Sequence, residues 1–520
     1  MKNDNLYFDS KEKLQAGINK IARAVGGTMG TGGSNAILEK MENPGHITTN
    51  DGYSIANDIV LADPIEEMGR KILLESINRA NRASGDGSST TCVLTSAIIK
   101  EGEKIDKTEH PMDIKRQMEA CLPIIEASLG EQTKEIVEDG KINSKLLQQV
   151  ATISAEDPEI GKMIAEIYEK IGPTGLVHWD VSKTAYDEYT IGTGITIDGA
   201  SYVTPYLCDI AENGTPSQQV RLKKPKILIT RQKIAGAGDF ENIAAELDQQ
   251  NVKDIIVFCD EVDPLVIPSL VQTRIQRGFR IVLVKMPTLW KDEWYEDLAL
   301  ATGATVISPE AGLPMKDLKV EHLGKVDNII VTKEDTFIDG IADVSEHVAA
   351  LEAEQEDMAA LRATRLNTKT ARYFVGAHSD SALSYRRLKV EDAIGSAYQA
   401  LNGGIVPGGG VALWNAALKL PDTTGGKILA TSLPYLVEQI CHNAGLKDVP
   451  DGVGEGRGVD TTSRKIVNMF DAGITDPKNV VFNAVQNAIS VASTVLTAPT
   501  IVTLPRQDFD QNPMAAPAMR

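Results

Sequence analysis

Ser84-Gly85-Asp86-Gly87-Ser88-Ser89-Thr90-Thr91 sets one carboxylate between two glycines and runs on into four hydroxyl side chains. The segment follows one amphipathic helix pattern and opens another, Cys92 to Lys100. Glycines let backbone N–H groups turn toward a ligand. The first turn of a helix offers free N–H groups and the positive end of its dipole. Such a cradle attracts an anion, yet Asp86 would repel a phosphate unless a cation lay between them. One reading is therefore a nucleotide-phosphate loop in which Mg²⁺ bridges Asp86 and phosphate oxygens. The other is a Gly-Asp-Gly turn capped by serines.

Two more carboxylates, Asp51 and Asp392, lie in or near glycine loops or helix patterns. ATP hydrolysis needs a metal ligand, an in-line water and a group that orients it, and carboxylates fill the first and third roles. Asp51-Gly52 is also an ordinary turn signal, and an acidic pair such as Glu391-Asp392 on a helix is usually just solvated. Gly408-Gly409-Gly410 either approaches a ligand closely or simply starts a tightly packed helix. Neither the GxxxxGK[ST] loop nor a kinase signature occurs. The seven histidines and five cysteines are dispersed, without metal-ligand spacing.

The elements that must carry these residues follow from periodicity. Leu14, Ile18, Ile21 and Val25 share one face of a helix over Lys11 to Val25. Residues 36–39 and 47–49 read as strands of a hairpin. Asp63-Pro64 starts a long helix that stops at Gly85. Residues 112–170 stay helical, with loops at Asp139-Gly140 and Glu156-Asp157-Pro158. Short β-branched runs at 227–230, 255–258, 281–284 and 329–331 then alternate with helical stretches 239–247 and 264–276, the pattern of a layered βα domain. Helices resume over 344–365 and 380–401, and the remainder is largely helical. A helical part is thus interrupted by an α/β insert and resumes.

At 520 residues the chain exceeds one core, and a length prior gives roughly three or four domains. The 72 acidic residues outnumber the 53 basic ones, which argues against a nucleic-acid partner. No continuous apolar run reaches the ~18 residues of a membrane span, and 1–10 lack a signal-peptide core. A cytoplasmic location is expected.

In order and spacing, several segments resemble the group I (GroEL-type) chaperonins. They are Asn50-Asp51-Gly52-Tyr53, Glu67-Met68-Gly69, Gly85 to Thr91, Thr152-Ile153-Ser154-Ala155, Gly172-Pro173-Thr174-Gly175, Tyr202-Val203-Thr204-Pro205-Tyr206, Val390-Glu391-Asp392-Ala393, Gly408 to Leu413, Asn468-Met469 and Asp476-Pro477. The resemblance covers nearly the whole chain and marks a divergent member. It implies an α+β multidomain chaperonin fold, with an equatorial domain at 1–131 and 403–520, an intermediate domain at 132–192 and 370–402, and an α/β apical domain at 193–369.

The resemblance also implies roles. Thr28, Met29, Gly30, Thr31, Asp86, Gly87, Ser88, Ser89 and Thr90 would hold ATP phosphates, with Asp86 on Mg²⁺. Asp392 would position the attacking water, assisted by Asp51. Gly409 and Asp476 would contact the nucleoside, with Asp460, Thr461 and Thr462 near the base. A monovalent cation, K⁺, would lie near Thr28, Asn50 and Ser89. Non-native polypeptides would bind Tyr202, Tyr206, Leu207, Phe240, Ile243, Leu247, Ile267, Leu270 and Val271, for which core packing is the alternative. A closed homo-oligomeric ring follows from enclosing a client; the need for a co-chaperonin lid stays open. The other function class is a holdase or scaffold without an ATP cycle.

The sequence departs from the family pattern at several points. Asn50 and Asp460 replace a lysine and an asparagine, so a positive charge near phosphate is gone. Thr368-Lys369 replaces paired hinge glycines, leaving Gly194 as the other hinge. Met286-Pro287-Thr288-Leu289-Trp290 replaces a glycine-rich basic stretch, and Gln272 follows Val271 where a second apolar residue is usual. Residues 507–520 lack Gly-Gly-Met repeats. These changes bear on lid partnership and ring geometry rather than on ATP use, and suit a viral or specialised paralogue.

Overall fold

A computed structural model describes residues 6–8, 11–40, 45–104, 109–209, 219–250, 252–288, 291–333, 335–354, 357–498 and 500–502. Leu289, Trp290 and the 507–520 tail lie outside them. The chain forms two compact units, the first from 6–173, Val177–Tyr189 and 373–502, the second from Thr174–Leu176 and Thr190–Arg372.

The first unit is mainly helical. Helix Lys11–Gly26 buries Leu14, Ile18, Ile21 and Val25, the stripe expected from periodicity. Asp63 caps helix Pro64–Ser84 by accepting from the Ile65 N–H at 2.8 Å, and Gly85 ends it in the left-handed region at φ 69°. Helix Ser88–Glu103 starts three residues later, so its first turn is Ser88, Ser89, Thr90 and Thr91. These helices share one core with Lys478–Thr497. Among the described helices, Lys478–Thr497 is long and apolar enough to cross a membrane, but 56% of its apolar window lies inside the protein. Interior packing against its neighbours explains that apolarity.

Strands Ala36–Lys40 and Gly45–Thr49 pair antiparallel, as expected. Asp139-Gly140 is the tip of a two-stranded ribbon, Val137–Glu138 with Lys141–Ile142, where a plain loop was expected. Both tip residues have positive φ, which suits a tight hairpin turn. Helix Asp380–Gly403 runs two residues beyond its expected end. Strand Ile405–Pro407 then pairs with Thr475–Pro477, bringing Val406 opposite Asp476.

The second unit holds a parallel sheet in the order Val306–Ile307, Lys226–Thr230, Asp254–Cys259, Arg280–Lys285, with Ser201–Tyr202 and Gly324–Lys325 added antiparallel. Its strands are apolar on both faces, as a sheet covered on both sides requires. Ile227, Ile229, Ile256 and Val282 face one core, and Leu228, Val257 and Leu283 the other. Helices Glu241–Gln249 and Val266–Arg277 follow successive strands. A 3₁₀ turn at Ala237–Phe240 precedes the first of them, so the expected helix at 239 begins later. The expected helix 344–365 is two, Ser345–Ala353 and Asp357–Leu366. Gly194 lies within strand Glu188–Asp198, where a side chain would overlap the Ile338 carbonyl. Close strand packing by itself calls for a glycine here.

Candidate nucleotide-binding site

A pocket of about 520 Å³ lies wholly within the first unit. Its size is ordinary for a small-molecule site. Part of its wall is polar and built from turns. Thr28 Oγ1 donates to the Val25 carbonyl at 2.7 Å and the Asn50 carbonyl at 3.2 Å, tying the Thr28–Thr31 loop to the strand that leads into Asp51. Gly87 sits at φ 90° and starts helix Ser88–Glu103 with no side-chain cap. The first-turn N–H groups therefore stay available to an anion, the property that the serine-capped turn would have removed. Apolar side chains line it as well, among them Leu413, Leu436, Val459 and Ile474, while Ile440 and Val480 lie against Gly30 and Gly87 of the polar turns. A planar base and a phosphate chain need this pairing of surfaces.

Asp86 is held firmly. Its Oδ1 accepts from the Gly87 N–H at 2.5 Å, and its Oδ2 from Ser154 at 2.9 Å and Ser396 at 2.6 Å. Asp51 caps helix Gly52–Asp58, accepting from Tyr53 N–H at 3.3 Å and Ser54 N–H at 2.8 Å. Asp392 reaches the same pocket from helix Asp380–Gly403. Burial pushes its carboxyl well above the usual carboxylate range, and the charges of Asp86 and Asp51 add to the shift. Burial likewise raises Asp476 to about 6, with Asp86 repelling it and the Gly409 N–H partly offsetting. Asp460 is lowered, chiefly by the Ser463 hydroxyl and also by the Thr462 and Ser463 N–H groups.

The residues present fit Mg²⁺ with a polyphosphate. Mg²⁺ is commonly held by one or two carboxylates plus phosphate oxygens, and Asp86 stands beside the uncapped helix start. The Asn50 amide oxygen is buried with no hydrogen-bond partner among the described residues, an acceptor suited to a cation.

Every residue expected at the nucleotide lines this pocket: Thr28, Met29, Gly30, Thr31, Asn50, Asp51, Asp86, Gly87, Ser88, Ser89, Thr90, Asp392, Gly409, Asp460, Thr461, Thr462 and Asp476. Thr31 and Thr461 also share a short hydroxyl–hydroxyl hydrogen bond. Sequence reasoning missed four residues. Lys389 lines the pocket and pairs with Glu156 at 3.0 Å, and Ser154 and Ser396 hold Asp86. Spacing held a signal for two of them, because positions 389 and 396 lie three and four residues from Asp392 on one helix.

The expected polypeptide face divides. Leu207, Phe240, Ile243, Leu247 and Leu270 are buried in the second unit's core. They cover the sheet face formed by Leu228, Val257 and Leu283, so core packing is the correct account of them. Tyr206 is 66% exposed, while Tyr202, Ile267 and Val271 are half-buried. Ile267, Val271 and Ile275 recur every four residues on a face of helix Val266–Arg277 that adjoins the buried Val266 and Leu270, and Val271 still packs against their core. Leu265 and Ile275, absent from the expectation, are the most exposed apolar residues nearby.

Fold and site together define an α+β multidomain protein with a pocket suited to a nucleotide. The chain belongs to the TCP-1/cpn60 chaperonin family, whose family model matches residues 21–505. Among solved structures it is similar to the chaperonin gp146 from the bacteriophage EL 2 (Pseudomonas aeruginosa), crystallised in the presence of ATP-BeFx. Crystal form II gives a TM-score of 0.69 at 16% identity, and the match covers 96% of this chain and 99% of that one. Crystal form I gives 0.61 at 18% identity with the same coverage. At such identities the likeness establishes the fold, and the chaperonin fold expected from the sequence is the one observed.

Proposed function

We propose that the protein is an ATP-driven chaperonin that captures non-native polypeptides and releases them through a nucleotide cycle. One observation carries the reading: an uncapped helix start, Asp86, Asp51 and Asp392 converge on a single pocket. The Ser88–Thr91 turn and the Thr28–Thr31 loop would take the phosphates, and the apolar side chains Leu413, Leu436, Val459 and Ile474 the base. Asp86 would ligate Mg²⁺, which when bound supplies neutralising charge to the phosphates. Asp392 would orient the attacking water and accept its proton, for which its ionised form is required. Asp51 would assist. Asn50, with its unpartnered amide oxygen, would take part in a K⁺ site beside Thr28 and Ser89.

In this reading residues 1–131 and 403–520 form an equatorial domain, 132–192 and 370–402 an intermediate domain, and 193–369 an apical domain. The apical client face is narrower than the sequence suggested. It is the exposed set Tyr206, Leu265 and Ile275 with the half-buried Tyr202, Ile267 and Val271, since unfolded chains are recognised by their apolar surface. A homo-oligomeric ring follows from the need to surround a client.

The test is Mg²⁺-dependent ATP turnover by the purified protein, together with capture of an unfolded client and its release on adding ATP. Turnover with ATP-dependent release supports the cycle. Capture without turnover would make the protein a holdase, and absence of nucleotide binding would overturn the reading.

A further inference from the structure

Helix Asp380–Gly403 brings more than Asp392 to the site. Gly395 packs against Gly85 so closely that a Cβ on either would come within 2.9 Å of the other's Cα. This contact seats the helix directly on the loop that carries Asp86. The next residue, Ser396, is fully buried, and its hydroxyl donates to Asp86 Oδ2 at 2.6 Å. Ser154, at the end of helix Ser144–Ala155, donates to the same oxygen at 2.9 Å. Two hydroxyls thus occupy Oδ2, while Oδ1 accepts a single N–H, that of Gly87.

We propose that Ser396 is a positioning residue for the metal-binding carboxylate, and that the Gly395-Ser396 pair links metal loading to the position of the helix carrying Asp392. The proposal rests on the reading of Asp86 as the Mg²⁺ ligand. Mg²⁺ demands near-ideal octahedral geometry, so its ligand must be held in one rotamer. Losing a group that holds a ligand from behind typically costs about 10–100-fold in metal affinity. With Oδ2 held by Ser154 and Ser396, Oδ1, which accepts only from the Gly87 N–H, would be the oxygen offered to Mg²⁺. Asp392 and Ser396 are one turn apart, so a shift of that helix away from the loop withdraws Asp392 and unlocks Asp86 together. Mg²⁺ then binds more tightly when the helix is docked, and by reciprocity bound Mg²⁺ favours docking.

The experiment measures ADP affinity by calorimetry on the full-length protein, in EDTA and across a Mg²⁺ titration, for wild type, Ser396→Ala and Gly395→Ala. In Ser396→Ala the half-saturating Mg²⁺ concentration should rise about tenfold while ADP affinity in EDTA stays put. Gly395→Ala keeps the hydroxyl but pushes the helix off Gly85, so it should give the same shift. A merely structural role for Ser396 would weaken ADP binding equally with and without Mg²⁺, and that result overturns the proposal. A Mg²⁺-dependent wild type with indifferent variants overturns the latch alone. A wild type that binds ADP equally well with or without Mg²⁺ overturns the assignment of Asp86 and the latch with it.

Discussion

Lys389 Nζ lies 3.0 Å from Glu156 Oε1, and the same carboxylate accepts two hydrogen bonds from the Asn50 amide, at 2.9 and 3.0 Å. Lys389 is buried, and among the described residues it is the one basic side chain lining a pocket that also holds Asp51, Asp86, Glu156, Asp392, Asp460 and Asp476. A polyphosphate entering so acidic a space needs fixed positive charge as well as Mg²⁺. Lys389 stands one turn from Asp392 and offers the charge that Asn50 lacks. Lys389→Met should therefore weaken ATP binding by about tenfold, the scale of one charge-assisted hydrogen bond. AMP binding should change far less, since it lacks the outer phosphates. Calorimetric titrations with both nucleotides check this, and equal losses for the two would assign Lys389 to Glu156 alone.

Asp392→Ala should retain nucleotide binding and lose hydrolysis by about 10²–10⁴-fold, the usual contribution of a positioned base. The raised Asp392 carboxyl gives the wild type a second signature. Only the ionised form accepts a proton, so single-turnover hydrolysis should climb with pH through that raised value, and the climb should be missing in the variant. Normal turnover by Asp392→Ala would remove it from the mechanism.

Much of this was legible in the sequence, for identifiable reasons. Asp63-Pro64 and Gly85 fix both ends of one helix through capping chemistry, and the Ser88–Thr91 turn follows from that boundary. The strands at 226–230 and 254–259 announce themselves because both faces are covered and the runs Ile227–Ile229 and Ile255–Cys259 are apolar throughout. The same property misled the reading of Phe240, Ile243 and Leu247. An apolar stripe on a helix has one appearance in sequence whether it covers a sheet or greets a client, and only burial separates the two. Ser154 and Glu156 were invisible because their partners lie 68 and 106 residues away.

That separation of stripe from core is testable by a contrast. Tyr206→Ser or Ile275→Ser should leave the thermal midpoint nearly unchanged, because both side chains already meet water. Each should reduce capture of an unfolded client in a light-scattering assay. Leu247→Ala should cost about 2–5 kcal/mol of stability in the second unit through the cavity it leaves. Client capture that survives loss of Tyr206 and Ile275 together would place the binding surface elsewhere.

Asp476 supplies a prediction whose sign is opposite to that of an ordinary paired carboxylate. Its folded-state pKa, about 6, lies above the reference value of 3.8, so the folded protein binds the proton more tightly than the unfolded chain. Its contribution to stability is fully present below about pH 4, is lost as pH rises from there to about 6, and stays level above. In the nucleotide-free protein in EDTA, Asp476→Asn should therefore raise stability at neutral pH by about 1–2 kcal/mol, discounted because solvent still reaches the cleft. At pH 4 the variant and the wild type should melt together. Thermal midpoints recorded from pH 4 to 8 check this. A variant that loses stability at neutral pH would mean that the Gly409 N–H, and the carboxylate it serves, outweigh the cost of burial.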